Sequence, residues 1–265
     1  MYRQMYDAAN SFASNKKVTM KRFKNKVVFI TGGSRGIGAG IARRMAAEGA
    51  DVVITYVNAA GQAQQVTDDI KKAGQQALAI PVDNASPDAI TAAIEKAMEV
   101  FGRIDILVNN AGIYIAKPLA EYTLQDIDST MAVNVRAVFL ASQKAAQYMQ
   151  SGGRIITIGS NMAERVTFAT GTLYAMSKSA LIGLTKGLAR DLGAQGITVN
   201  LVQPGPTDTD MNPANAPHAD MLRSAMAIPH YGKPADIAEI VAYLASEESG
   251  FMTGAALTID GGFSI

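Results

Sequence analysis

The chain has 265 residues, 48% of them hydrophobic, a formal net charge of +1, a sequence pI of about 7.9 and no cysteine. That length and apolar content can fill the core of one α/β unit, and dispersed Lys and Arg near charge balance leave no basic patch for nucleic acid or an anionic membrane. Disulfides and thiolate metal sites are excluded, two histidines (His218 and His230) are too few for a zinc centre, and neither a membrane-length apolar run nor a signal peptide is seen, so a cytoplasmic protein without metal is expected.

Residues 1–22 are polar and basic without sustained periodicity and read as an N-terminal extension to a body spanning 23–265. Three readings stay open for it: a disordered arm, a cap packed on the body, or sequence upstream of a start at Met20. The body opens with the β-rich run Lys26 to Thr31, then Gly32-Gly33-Ser34-Arg35-Gly36-Ile37-Gly38, then a helical pattern through Arg44 and Glu48. A strand, a glycine turn and a helix in that order aim backbone N–H groups and the positive helix end at one spot, where a pyrophosphate can sit. Glycine is expected there because a Cβ would block the approach of the phosphates.

Asp51 to Tyr56 forms a second buried strand, and its end lacks a feature. NAD-preferring dinucleotide folds place an acidic residue for the ribose diol about 20 residues after the glycines. Here the chain reads Tyr56-Val57-Asn58-Ala59-Ala60. With no carboxylate to repel a 2′-phosphate, and Arg35 able to pair with one, NADP(H) is favoured; the plainer reading of Arg35 is a solvated loop charge.

Residues 60–73 read as helix, Ala77 to Val82 as strand, 86–101 as helix, and Ile104 to Val108 as strand ending in Asn109-Asn110-Ala111-Gly112. Helices of this length between strands require parallel pairing by right-handed crossovers, and ligands of such sheets bind at the carboxyl ends of the strands. Candidate cofactor residues on this half are Gly32, Ser34, Arg35, Gly36, Ile37 and Gly38 in the turn, Tyr56 and Asn58, Asp83 and Asn84, and Asn110, Ala111 and Gly112. Asp83 can accept from an adenine amino group or cap the helix that follows it. The Asn-Asn-Ala-Gly run is also what a structural turn would use.

A long helical pattern from Thr123 to Gln150 carries a polar Asn134 amid apolar neighbours, Arg154 to Ile158 is the next strand, and Ser160 follows its end. Tyr174 opens a helix running to about Leu192. Positions i and i+4 share a helix face, so the Tyr174 hydroxyl and the Lys178 ammonium can meet in one cleft, where a cation would pull the phenol below its usual value of about 10. An amphipathic helix with a half-buried Tyr and a snorkelling Lys has the same spacing. Ile197 to Val202 and Ala256 to Ile259 complete the strands. Residues 206–234, rich in Pro, Asn and Asp, suit a lid over a substrate cleft, with Met211, Met221, Leu222 and Met226 lining the pocket and both histidines at the surface.

The ordered pieces Thr31 to Gly38, Asn109 to Gly112, Asn134, Ser160, Tyr174 with Lys178, Pro204-Gly205 with Thr209, and Asp260-Gly261-Gly262 resemble the short-chain dehydrogenase/reductase family over residues 23–265. The overall likeness is to 3-ketoacyl carrier protein reductases, and closest to a bacterial NADP-dependent subgroup. The resemblance implies a Rossmann-type doubly wound seven-stranded parallel sheet in a three-layer αβα sandwich, a nicotinamide cofactor, a small carbonyl or alcohol substrate, and a homotetramer, a dimer of dimers, built on the long helices and last strand. It also implies roles: Tyr174 as general acid/base, Lys178 lowering its pKa and holding the nicotinamide ribose, Ser160 on the substrate oxygen, and Asn134 keeping a water behind Lys178. Gly32, Arg35, Ile37 and Gly38 would meet the phosphates, Asn110 and Ala111 the ribose, and Pro204, Gly205, Thr207 and Thr209 the nicotinamide end.

Two alternatives accompany that reading. A 3-ketoacyl carrier protein reductase is disfavoured because the arginines such enzymes use to dock the acidic carrier fall on Leu140 and Gln195 here. A cyclic-dinucleotide-binding regulator on the same fold is the other, and the complete Asn134, Ser160, Tyr174 and Lys178 set argues against pure sequestration.

Overall fold

A computed structural model describes residues 21–265. Most of the expected extension therefore lies outside the described residues. At its described end, the Arg22 guanidinium donates to Glu48 at 2.9 Å and to Glu248 at 3.2 Å, and Phe23 is buried in the core.

Seven parallel strands form one sheet in the order β3-β2-β1-β4-β5-β6-β7. They are β1 (Val27–Ile30), β2 (Asp51–Tyr56), β3 (Ala77–Pro81), β4 (Ile106–Asn109), β5 (Arg154–Ile158), β6 (Thr198–Pro204) and β7 (Ala256–Ile259). β1 is apolar throughout because both its faces are covered: Val28 and Ile30 enter one core, Val27 and Phe29 the other. The first core lies under α1 (Gly36–Ala47), α2 (Ala60–Lys72) and α8 (Pro234–Ala245), and the second under α3 (Pro87–Phe101), α5 (Ala137–Ala146) and α6 (Thr172–Leu192). β1 is bonded to β2 on one side, Val28 opposite Val52, and to β4 on the other, Val28 opposite Ile106. The crossover direction reverses there, which opens a crevice at the carboxyl edge.

The helices start where local chemistry tells them to. Ser86 caps α3 by accepting from the Ala89 N–H, with Pro87 in the first turn and Gly102 left-handed at the far end. Thr123 and Asp126 make a reciprocal capping box on α4 (Leu124–Met131).

Two expectations change. The single helix expected from 123 to 150 is α4 and α5 joined by a π-helical stretch, Ala132–Arg136, centred on the fully buried Asn134. The segment 206–234 is partly ordered, since it contains α7 (Ala219–Ser224) and a small core of Ala219, Leu222, Met226, Tyr231 and Phe263. Leu222 and Met226 pack within this small core, while Met211 and Met221 are more than half exposed. Among the described residues no helix is long and apolar enough to cross a membrane.

Candidate active site

The glycine turn after β1 is shaped by its own closure. Gly32 and Gly36 have φ of 65° and 53°, in the left-handed region that favours glycine. At Gly33 a Cβ would lie 2.5 Å from the Ile54 side chain, and at Gly38 it would lie 2.3 Å from the Gly32 carbonyl oxygen. At 33 and 38 the protein's own packing thus requires glycine, in addition to any approach of phosphates.

Asn110 locks the turn to β4. Its Nδ2 donates to the carbonyls of Thr31 (3.0 Å) and Gly32 (2.8 Å), while Thr31 Oγ1 accepts from the N–H groups of Asn110 and Ala111. Both amide hydrogens are spent on this clamp, so a ribose contact by Asn110 would have to use its Oδ1 or its main chain.

The N-terminus of α1 stays open. Its N-cap, Arg35, makes no side-chain capping bond, and the first turn holds no acidic residue, in contrast to α3 and α4. Orphan N–H groups and the positive helix end thus face the crevice, with Ser34 buried and Ile37 and Gly38 in the first turn. The Arg35 guanidinium is mostly exposed and pairs with Asp210 at 3.1 Å. Past β2, Tyr56 is half-buried and Asn58 exposed. Asp83 does not cap α3, as one reading had it: its Oδ1 accepts from the Ala85 N–H at 2.9 Å and closes a turn, leaving the cap to Ser86. Asn84 is buried beside Thr31, Asn109 and Ala111.

Four polar side chains converge beyond β4 and β5. Tyr174 is in the first turn of α6 and Lys178 lies one turn on, buried, with Nζ donating to the Ile158 carbonyl at 2.9 Å and 5.7 Å from the Tyr174 ring centre. Ser160 Oγ accepts from the Met162 N–H at 3.2 Å and lies close enough to the Tyr174 hydroxyl to offset part of its burial. Asn134 spans from the π stretch to the loop after β4: its Oδ1 accepts from Ile113 N–H at 2.9 Å, and its Nδ2 donates to Ile113 O and Ser177 Oγ, both at 3.0 Å. A Cβ on Gly112 would be 3.4 Å from Asn134 Oδ1 and 3.5 Å from Lys178 Nζ, so this glycine roofs the pair.

The electrostatics differ from expectation. Burial pushes the Tyr174 phenol up to about 12, opposed in part by the nearby Ser160, and burial alone pulls Lys178 down to about 8. The expected depression of Tyr174 by Lys178 is therefore corrected: the ammonium is engaged by a carbonyl, and desolvation of the phenolate dominates. Asn134 likewise spends both amide hydrogens on protein partners, which leaves its main chain or the second lone pair of Oδ1 for a water.

The far wall comes from β6 and the segment after it. Pro204 ends β6, and a Cβ on Gly205 would be 2.4 Å from Asp260 Cβ. Thr207 is buried, donating to the Gly205 carbonyl, and Thr209 packs its methyl against Gly36, 3.3 Å from where a Cβ would sit. His218 and His230 are exposed; Leu140 packs on the second core and Gln195 is exposed. Tyr114 went unnoticed in the sequence, although it stands two residues beyond Gly112 at the ligand edge. Its ring meets Tyr174 edge-on, centroids 4.9 Å apart at 87°.

A sequence profile described as enoyl-(acyl carrier protein) reductase matches residues 32–264. The structure of a short-chain dehydrogenase from Burkholderia cenocepacia J2315 in complex with NADP superposes with a TM-score of 0.91 at 55% identity, covering 92% of this chain and all of that one. The chain belongs to the short-chain dehydrogenase/reductase family. As a member of this oxidoreductase family it is also 46% identical over 244 residues to the cyclic-di-GMP-binding biofilm dispersal mediator protein of Escherichia coli K12, covering 92% of this chain and 99% of that one. A hydroxynaphthalene reductase-like protein Arp2 of Metarhizium majus is 36% identical over 258 residues, covering 92% and 97%.

Proposed function

We propose that this short-chain dehydrogenase/reductase uses NADP(H) to interconvert a small-molecule carbonyl and its alcohol, with Tyr174 as general acid/base. The observation that carries the reading is the convergence of Ser160, Tyr174, Lys178 and Asn134 under Gly112, at the sheet edge that also holds the uncapped α1. The donor set fits the cofactor: α1 leaves its N–H groups free for a pyrophosphate, Arg35 offers a fork for a 2′-phosphate, and no carboxylate ends β2. When bound, NADPH supplies the hydride. The NADP-bound relative at 55% identity supports the same choice of cofactor.

The protein contributes proton handling and orientation. A phenol near 12 keeps its proton at neutral pH, which suits donation to a carbonyl oxygen in reduction. Ser160 Oγ, beside that hydroxyl, would hold the same substrate oxygen and steady its developing charge. Lys178 would place a cation behind the phenol as it ionises and reach the ribose. Asn134 would hold the loop after β4 through Ile113, with its π-stretch main chain left to bind a relay water. Ser34, Ile37, Gly38, Asn84, Ala111, Pro204 and Thr209 would line the cofactor, and residues 206–234 would cover the substrate.

A cytoplasmic location and a homotetramer complete the reading. The exposed β7 edge, with Phe251 and Ile265 fully in solvent, supports assembly on that side, and sedimentation of the purified protein tests it. The activity test is consumption of NADPH with ketones, quinones, hydroxynaphthalene-type substrates and acetoacetyl thioesters. Turnover of the thioester alone would move the reading to acyl-carrier chemistry. The 46% identity to a cyclic-di-GMP-binding protein favours a second reading, ligand sequestration. Tight cyclic-di-GMP binding with no carbonyl consumed would replace the enzyme reading with that one.

A further inference from the structure

We infer that Gln203, through its hydrogen bond to Glu164, is a positioning residue for Ser160; the inference rests on the role proposed for Ser160 on the substrate oxygen. Gln203 lies just before Pro204 at the end of β6 and is fully buried. An apolar side chain would suit that place better than an amide: Leu201, two residues earlier and so on the same face, packs with Val138 and Leu181. The Gln203 Oε1 is buried without a protein partner among the described residues, which costs stability. What the amide supplies is one short bond, Nε2 donating to Glu164 Oε1 at 2.7 Å. Thr258 Oγ1 stands 3.5 Å from Gln203 Nε2 and 3.5 Å from Glu164 Oε2, at the limit of bonding.

Glu164 closes the turn that Ser160 opens. The Ala163 N–H donates to the Ser160 carbonyl and the Glu164 N–H to the Asn161 carbonyl, both at 3.0 Å. Three side chains from two elements tie this turn down. Lys178 Nζ donates to the carbonyl of Ile158, two residues before Ser160, at 2.9 Å, and Ser179, next along α6, donates to the Ala163 carbonyl at 3.0 Å. Gln203 holds Glu164 from the neighbouring strand, and its Cγ is 3.5 Å from where a Cβ on Gly159 would sit. Ser160 is therefore bracketed: α6 fixes it relative to Tyr174, and β6 fixes it relative to the Pro204-Gly205 turn, where the nicotinamide end is expected. Glu164 is exposed, so losing the Gln203 bond leaves its carboxylate to water and strands no buried charge. An anchor of this kind can be removed without unfolding the chain, which separates positioning from packing.

Gln203→Met keeps the volume and removes both the bond and the orphan carbonyl. Its kcat for the ketone is expected to fall about three- to tenfold, less than the full factor of one charged hydrogen bond because Glu164 is solvated, while the urea midpoint holds or rises and NADPH affinity is unchanged. Glu164→Ala should match it. Glu164→Gln retains a carbonyl oxygen for Nε2 and should stay within about twofold of wild type. The double variant Gln203→Met/Glu164→Ala should lose no more than either single change, since both remove one interaction. A Gln203 that only packs would give a lowered urea midpoint, or kcat losses that multiply in the double variant, and either result overturns the inference. Amide hydrogen exchange of the peptide 159–165 gives a readout independent of turnover: it should quicken in Gln203→Met and Glu164→Ala and hold in Glu164→Gln. Exchange unmoved in all three overturns the anchor. Ser160→Ala separates this inference from the reading it rests on. If that variant loses turnover while Gln203→Met retains full kcat, the positioning role is overturned; if it keeps full turnover while exchange moves as expected, the anchor stands and only the role proposed for Ser160 falls.

Discussion

Arg35 in the glycine turn and Asp210 in the segment after β6 are bonded at the crevice, Nη1 to Oδ2 at 3.1 Å, with both side chains more than half exposed. An exposed pair of this kind contributes at most about 1 kcal/mol, whereas a charged hydrogen bond to a phosphate contributes about 1.5 to 3 kcal/mol. A 2′-phosphate should therefore win the guanidinium from Asp210. Arg35→Ala is expected to weaken NADPH binding by about tenfold or more while leaving NADH nearly unchanged. Asp210→Asn should do the reverse, tightening NADPH by a few-fold, about the value of the exposed pair it removes. Calorimetric titration of both variants with both cofactors checks this, and equal losses for NADPH and NADH in Arg35→Ala would remove the 2′-phosphate assignment.

Tyr174→Phe deletes the hydroxyl beside Ser160 and leaves the ring packed against Tyr114. On the proposed role, turnover should drop by about 100- to 10,000-fold, the usual contribution of a positioned acid or base. NADPH affinity should barely change, because the uncapped α1 and Arg35 are untouched. Stopped-flow consumption of NADPH with the best ketone, together with a binding titration, separates the two effects; retained turnover would show that the proton comes from elsewhere.

The fold could be read almost whole from the sequence, because it is written in two robust periodicities. Buried parallel strands such as Val27–Ile30 read as continuous apolar runs, and the helices between them carry amphipathic patterns and caps. The site was legible as a list of residues and much less so as geometry. Asn110 shows why: an amide at the ligand edge looks like a ribose contact, and only the positions of the Thr31 and Gly32 carbonyls reveal both hydrogens to be spent. Tyr174 shows it again, since the spacing to Lys178 names the pair but is silent about how deeply each is buried. The π stretch at Ala132–Arg136 depends on where Asn134 finds partners 21 and 43 residues away, which no local pattern encodes.

Two glycines that look alike in the sequence should behave oppositely. At Gly38 a Cβ would lie 2.3 Å from the Gly32 carbonyl oxygen and 2.5 Å from Asn110 Nδ2, both fixed parts of the turn, whereas at Gly61 in α2 it would meet nothing within 4 Å. Gly38→Ala is expected to lose about 1 to 3 kcal/mol of stability, typical of overpacking, and with it cofactor binding. Gly61→Ala should gain a few tenths to about 1 kcal/mol from helix propensity. Urea unfolding of both variants at matched m-values checks the contrast.

Lys178 and Tyr174 give the pH dependence opposite signs in windows that overlap only between about pH 10 and 10.5. Lys178 is pulled down from its ordinary 10.5 to about 8 by burial, so between about pH 8 and 10.5 the folded chain holds fewer protons at this site than the unfolded one. Stability contributed there rises with pH across that window, as the cost of a buried ammonium is relieved. Tyr174 is pushed up from 10 to about 12, so between those values the folded state holds more protons and its contribution falls as pH rises. Lys178→Met should abolish the first trend and leave the second, and Tyr174→Phe the converse, in urea unfolding followed from pH 7 to 11.5. Activity adds a third expectation: reduction draws on the ammonium behind the phenol, so kcat/KM for the ketone should be level below neutrality and decline as pH rises through about 8. A profile that stays level past pH 9 would mean that Lys178 keeps its proton in the working enzyme or that the ammonium plays no part in the proton transfer.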